Sequence, residues 1–127
     1  MTISSISPFF IVSSLARSLA FYRGALGFEL TFRTPETAPF FAIVRRDGAQ
    51  LFLKEIGEQV APLPNSQRHA WAQWDAFVLV PAPDTLAAEF ASRGTASCTP
   101  LADTEDGLRG FEVRDPDGYV LFFGHPR

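Results

Sequence analysis

The feature that most constrains this chain is that it reads twice. "FAIVRRDG" (Phe41 to Gly48) matches "FEVRDPDG" (Phe111 to Gly118), and 118 minus 48 gives an offset of 70. Val12, which closes the first apolar run, pairs in the same way with Val80, an offset of 68. The drift of two residues is a loop difference between helix and hairpin. Two copies are too few for a solenoid, which needs at least ~3 repeats. They fit two modules that pair their sheets.

Each copy has the same grammar. "ISPFFIV" is a short buried strand. In "SSLARSLAFYRGALG", Ser13 or Ser14 can cap a helix. Leu15, Leu19, Tyr22 and Leu26 give it one apolar face, and Gly27 ends it. "FELTFRT", "FFAIVRR" and "AQLFLKE" read as strands, with "PETAP" and "DG" as turns. The second copy runs "WDAFVLV" (strand), "PAPDTLAAEFASRG" (helix), "ASCTPL" (short strand), "ADTEDG" (polar loop), "LRGFEVRD" and "YVLFFG" (strands around a "PDG" turn). Its helix is expected to be capped by Asp84, to turn Leu86 and Phe90 inward and to stop at Gly94. The order β-α-β-β-β therefore occurs twice, about 1–56 and 70–127. Residues 57–69, with prolines, Gly, Asn and Ser and little periodicity, are the expected linker. The fold class is α+β, with curled mixed sheets and helices outside.

Composition excludes several functions. At 127 residues the chain has the size of one domain. No apolar run approaches the ~20 residues that span a bilayer, and the start lacks the pattern of a signal peptide. A net charge of −3 without a basic cluster argues against nucleic acid. The single Cys98 excludes an internal disulfide and fits a reducing cytoplasm. A small structural cysteine competes there with a reactive thiol. Thirteen Phe against one Met and two Tyr supply more large apolar rings than a core of this size needs, enough to line a groove or a subunit interface.

The segments "LAFYRGALGFEL" and "GFEVRDPDGYVLFFG" resemble the vicinal-oxygen-chelate superfamily, which includes glyoxalase I, extradiol dioxygenases and the bleomycin and fosfomycin resistance proteins. The likeness covers nearly the whole chain. It implies a divalent metal in the concave face of the sheets, held by His or Glu from the first and last strand of each module. Carried over one at a time, those positions fall on Ser7, Asp75, Phe52 and Phe122. Only Asp75 is a good ligand, and one carboxylate does not hold a catalytic metal. The expectation is therefore no metal, no cofactor and no turnover. Phe52 and Phe122 either fill space at the sheet centre or touch a ligand.

Without a metal the resemblance points to the bleomycin resistance branch, through "GFELTF", "FAIVRRDGAQLFL", "AFVLV" and "EVRDPDG". That branch implies a homodimer with a small molecule in grooves lined by aromatic and acidic groups. Carried over, the ligand-binding residues are Phe32, Phe41 and Phe77, with Phe9, Phe40, Trp71 and Trp74 as additions and Asp75 as the negative charge. Two departures stand out: Thr31 replaces an acidic residue and Phe77 a tryptophan. They weigh against bleomycin itself and leave another planar or amphipathic molecule. The alternatives are a metal-dependent glyoxalase- or dioxygenase-like enzyme of the same fold, and a dimeric scaffold without ligand. His69 reads as a solvated loop residue or a ligand, and His125 needs a partner from another chain to act. Trp71 and Trp74 either line a pocket entrance or pack at a seam.

Overall fold

A computed structural model describes all residues, Met1–Arg127. The chain divides into two units, Met1–Pro62 and Leu63–Arg127. The architecture is α+β: two four-stranded mixed sheets and few helices. No helix is long and apolar enough to cross a membrane.

The first unit holds β1 (Phe9–Val12), α1 (Leu15–Ala20, continued by a π turn over Phe21–Ala25), β2 (Glu29–Thr34), β3 (Phe41–Arg46) and β4 (Ala49–Glu55). Its strand order is β1-β4-β3-β2, with β1 parallel to β4 and the other pairs antiparallel. The second unit opens with a one-turn helix, α2 (Asn65–Arg68), inside the stretch expected to be linker. Then come β5 (Ala76–Leu79), α3 (Pro83–Ser92), β6 (Ala102–Asp103), β7 (Leu108–Arg114) and β8 (Val120–Pro126). The order β5-β8-β7-β6 repeats that of the first unit, with β5 parallel to β8.

The register shows how far the repeat extends. Phe9 stands opposite Phe52, and Phe77 opposite Phe122, so the offsets of 68 and 70 hold in the parallel pairs. The central strand departs from the sequence match. Ile43 pairs with Phe52 and Glu112 with Phe122, an offset of 69 in β3 and β7. The reason is the turn, which is two residues long in the first unit and runs from Asp115 to Tyr119 in the second. One residue of slip exchanges the faces of a strand. Phe41 therefore corresponds to Gly110, not to Phe111, whose ring faces the helix.

In each unit one face of the sheet packs on the helix. Ala42, Val44, Leu51 and Leu53 are buried with Leu15, Tyr22 and Leu26 of the first helical segment. In the second unit Phe90 of α3 meets Phe111 and Phe123 edge-on, at 5.9 and 5.4 Å between ring centres. These sets form the two cores.

Several expectations need correction. β1 begins at Phe9, and Ile6 is exposed. Of the two serines offered as the cap of α1, Ser14 takes the place as expected, accepting from the Arg17 N–H at 3.2 Å. The inward positions of that helix are Leu15, Ser18, Tyr22 and Leu26, and Leu19 is only half-buried. The Leu26 N–H reaches back five residues to the Phe21 carbonyl, widening the last turn and carrying Leu26 into the core. Asp84 is not a cap. Ala82 stands there, and the Asp84 carboxylate instead takes two hydrogen bonds from Arg109, at 3.0 and 2.8 Å. That guanidinium holds the Asp84 carboxyl below the usual carboxylate range. "ASCTPL" contributes only a bridge from Cys98 to Val113, and the paired edge strand is Ala102–Asp103, within the expected polar loop.

Ser18 carries the first testable consequence. Its hydroxyl is wholly buried and has no hydrogen-bond partner. An unsatisfied buried hydroxyl costs roughly 1–3 kcal/mol, and alanine removes the group without leaving room for anything larger. Ser18→Ala is expected to raise stability by about 1 kcal/mol, read as a higher midpoint in urea with an unchanged slope.

Candidate functional site

The face of each sheet that the helix does not cover carries the candidate site residues. In the first unit, alternation along β1, β3 and β4 brings Phe9, Phe41 and Phe52 to that face, and β2 adds Phe32. Phe41 is the hub. Its ring centre lies 6.1 Å from Phe9, 5.7 Å from Phe52 and 6.2 Å from Phe32. Phe9 is 54% exposed and Phe32 50%, so the cluster presents open ring faces rather than a filled core. Phe40 lies beside Lys54, whose ammonium sits 5.9 Å from the ring centre. Thr31, at the position where the resemblance implies an acidic group, donates its hydroxyl to the Ile43 carbonyl.

The second unit solves the same positions differently. Phe122 is buried, at 3% exposure. Phe77 stacks on it at 5.5 Å and Trp74 lies over it at 4.7 Å. Its ring occupies space that the glycine pair Gly110 and Gly124 leaves open. A Cβ at Gly110 would meet the Phe122 ring at 2.7 Å, and one at Gly124 would meet it at 2.6 Å. The first unit has Phe41 and Lys54 opposite each other at these places. Of the two phenylalanines at the implied metal positions, Phe122 thus fills space, and Phe52 stays half-buried under Phe9 and Phe41.

Asp75 is occupied. Oδ1 accepts from the Asn65 N–H and Oδ2 from the Val120 N–H, both at 2.8 Å. The Asn65 amide also donates to the Trp74 carbonyl. The carboxylate thereby clips the one-turn helix to the starts of β5 and β8. Ser7 accepts a hydrogen bond from Gln50 at 3.0 Å. A hydroxyl already bonded, two phenyl rings and a carboxylate held by backbone donors do not fit a divalent metal. No group of three or more His, Cys, Asp and Glu side chains is placed to hold one.

The negative charge comes from a residue that sequence reasoning missed. Glu112 stands opposite Phe122 in the β7–β8 register, on the same face. Its Oε2 accepts from the Trp74 indole N–H at 3.0 Å. Counting across the hairpin from the "DPDG" turn would have found it. With Gln73, Trp74 and Phe122, Glu112 lines a cleft of about 380 Å3. The loop after β6 closes one side with Thr104, Glu105 and Asp106. Trp71 does not join this group. It is 86% exposed, its ring meets His69 at 5.7 Å, and its backbone N–H donates to His69 Nδ1. His125 lies beside Arg109 on β8, away from the cleft residues in register.

The match to known proteins fits this arrangement. The model of the Glyoxalase/Bleomycin resistance protein/Dioxygenase superfamily matches residues 3–123. The chain belongs to that superfamily. Among solved structures of the same fold is the bleomycin-binding protein from bleomycin-producing Streptomyces verticillus, complexed with copper(II)-bleomycin. It is 24% identical, with a TM-score of 0.70 over 100% of this chain and 99% of that one. TnmS3, an antibiotic binding protein from Streptomyces sp. CB03234, is 22% identical, with a TM-score of 0.72 over 100% and 99%. A glyoxalase-related enzyme from Clostridium phytofermentans is 14% identical, with a TM-score of 0.74 over 100% and 98%. At these identities the likeness is one of fold, and binders and enzymes of the superfamily share it. A comparison with curated proteins gives no match.

Proposed function

We propose that this chain is a metal-independent binding protein that sequesters a planar aromatic small molecule, such as an antibiotic of the bleomycin type, in grooves of a homodimer in the cytoplasm. The observation that carries the reading is the open ring cluster of Phe9, Phe32, Phe41 and Phe52, in which Phe52 stands where the superfamily's metal chemistry would need His or Glu. Sequestration requires binding energy and no reacting group. Offset or edge-on contact with a flat ring supplies about 0.5–1.5 kcal/mol per aromatic pair beyond burial. In the second unit Trp74, Phe77 and Phe122 form a ring cluster of their own, Asp75 holds the strand starts, and Trp71 is exposed. A second copy would cover part of the exposed apolar surface, which includes Phe77 and Leu79 on the short strand β5.

The test is calorimetric titration of chelator-treated protein with metal-free bleomycin and a panel of planar heteroaromatic compounds, alongside sedimentation to read the oligomeric state. Saturable binding near one ligand per chain is expected for at least one compound. Phe41→Ala should weaken it about tenfold or more, the scale of a central aromatic anchor. Absence of saturation across the panel, or binding that appears only when a divalent metal is restored, would overturn the reading.

A further inference from the structure

We propose that Asp47 is a modification site, where the folded chain isomerises spontaneously to isoaspartate and so presents a free α-carboxylate to a carboxyl methyltransferase. The chemistry needs an aspartate followed by a glycine, because the glycine nitrogen is the nucleophile and carries no side chain to block its approach. The sequence holds three such pairs, Asp47–Gly48, Asp106–Gly107 and Asp117–Gly118. The structure separates them by what their reacting groups already do.

In two pairs the nucleophile is engaged. The Gly107 N–H donates to the Thr104 carbonyl at 3.2 Å, and the Gly118 N–H donates to the Asp115 carbonyl at 3.0 Å. The Asp106 carboxylate is held as well, by the Thr104 hydroxyl. The Asp117 backbone is fixed from the other side, its N–H donating to Asp115 Oδ1 at 2.8 Å. At Asp47–Gly48 neither reacting group is occupied: the Gly48 N–H has no acceptor and the Asp47 carboxylate no donor. Both residues are exposed, and nothing lies within 4 Å of the place a Gly48 Cβ would take. A further contact favours the reaction there. Arg45 Nε donates to the Asp47 carbonyl oxygen at 2.9 Å. That oxygen shares its peptide group with the Gly48 nitrogen, so the guanidinium draws electron density from the amide and eases loss of its proton.

The step balances with no co-reactant but water. The Gly48 nitrogen attacks Cγ of the acid form of Asp47, a C–N bond forms, and the carboxyl hydroxyl leaves as water with the amide proton. The succinimide ring then takes up a water. Addition at Cγ restores aspartate. Addition at the old backbone carbonyl breaks its C–N bond, and the chain now runs through the side chain. The mass is unchanged and the backbone is longer by one methylene. That methylene falls in the two-residue turn between Arg46 and Ala49, which pair across the β3–β4 hairpin. The same hairpin holds Phe41 against Phe52.

The experiment incubates the folded protein at neutral pH and body temperature over weeks. Isoaspartate at each pair is read by peptide mass spectrometry with electron-transfer fragmentation, and in total by methyl transfer from S-adenosylmethionine with an isoaspartyl methyltransferase. Asp47 is expected to isomerise about fivefold or more faster than Asp106 or Asp117, the scale of the one hydrogen bond that each of those must break. In guanidinium chloride the held amides are released, and the three rates should converge to within about twofold. Gly48→Ala sets a methyl group beside the nucleophile in open space, so it should keep the fold and lose most of the isoaspartate at Asp47. Should that variant fail to fold, the wild-type comparison decides alone. Equal rates at the three pairs of the folded protein, or a faster rate at Asp106 or Asp117, overturn the inference. Isoaspartate that gathers at Asp47 only in denaturant overturns it too, because the turn would then protect the pair. So does an unchanged rate in folded Gly48→Ala, because the nucleophile would then not be the Gly48 nitrogen.

Discussion

Gly110→Ala should destabilise the protein by about 3 kcal/mol or more, a large share of the roughly 5–15 kcal/mol that holds an ordinary domain together. The new Cβ would fall against the Phe123 carbonyl oxygen, 2.7 Å from the Phe122 ring and 2.8 Å from the Gly124 Cα. Two of these three neighbours are backbone within the β7–β8 ladder and have nowhere to go. Removing the ring as well, in Gly110→Ala/Phe122→Ala, would relieve only one contact and is not expected to restore folding. Urea unfolding followed by circular dichroism reads both variants. Recovery in the double variant would show that the ring, not the backbone, sets the limit. Gly48, by contrast, has open space around its Cβ position, so the effect belongs to one close approach and not to glycine in general.

Phe122→Ala and Phe52→Ala should part company although the repeat makes them equivalents. Phe122 is buried under Trp74 and Phe77, and truncating a buried Phe costs about 3–5 kcal/mol through lost burial and a residual cavity. Phe52 is half-buried at the base of an open cluster, so its truncation should cost roughly half as much and should act mainly on ligand affinity. Thermal unfolding of the two variants, with titration of whichever folds, separates these effects. Equal losses of stability would mean that the first cluster is as much a core as the second.

Much of this was legible in the sequence, for physical reasons. Glycines at positive φ ended the helices where expected, at Gly27 and Gly94, because few other residues adopt that backbone. The equivalence of Phe52 and Phe122, 70 residues apart, followed from counting, and each pairs with the first strand of its unit, opposite Phe9 and Phe77. What escaped depends on partners far along the chain. Asp84 had the residue type of a cap, but Arg109, 25 residues away, claims it. The edge strand at Ala102–Asp103 exists only because β7 offers it a ladder. Matching letters in "FAIVRRDG" and "FEVRDPDG" hid the difference in turn length that sets Phe41 and Phe111 on opposite faces. Glu112 escaped for the same reason, since its place beside Trp74 is a matter of register and not of motif.

The clip made by Asp75 limits how this fold could be re-engineered. A designer wishing to install a metal in the second unit would begin by writing a histidine or glutamate at Phe122, and would count Asp75 as a donor already present. That donor is spoken for. Drawing either oxygen toward an ion would strand the Asn65 or Val120 N–H, and with it the fastening of a helix and two strands. Installing a metal in this chain would therefore be no sum of independent point changes. Asp75 would have to be released from its structural duty, and that duty reassigned, before any new donor beside it could do anything.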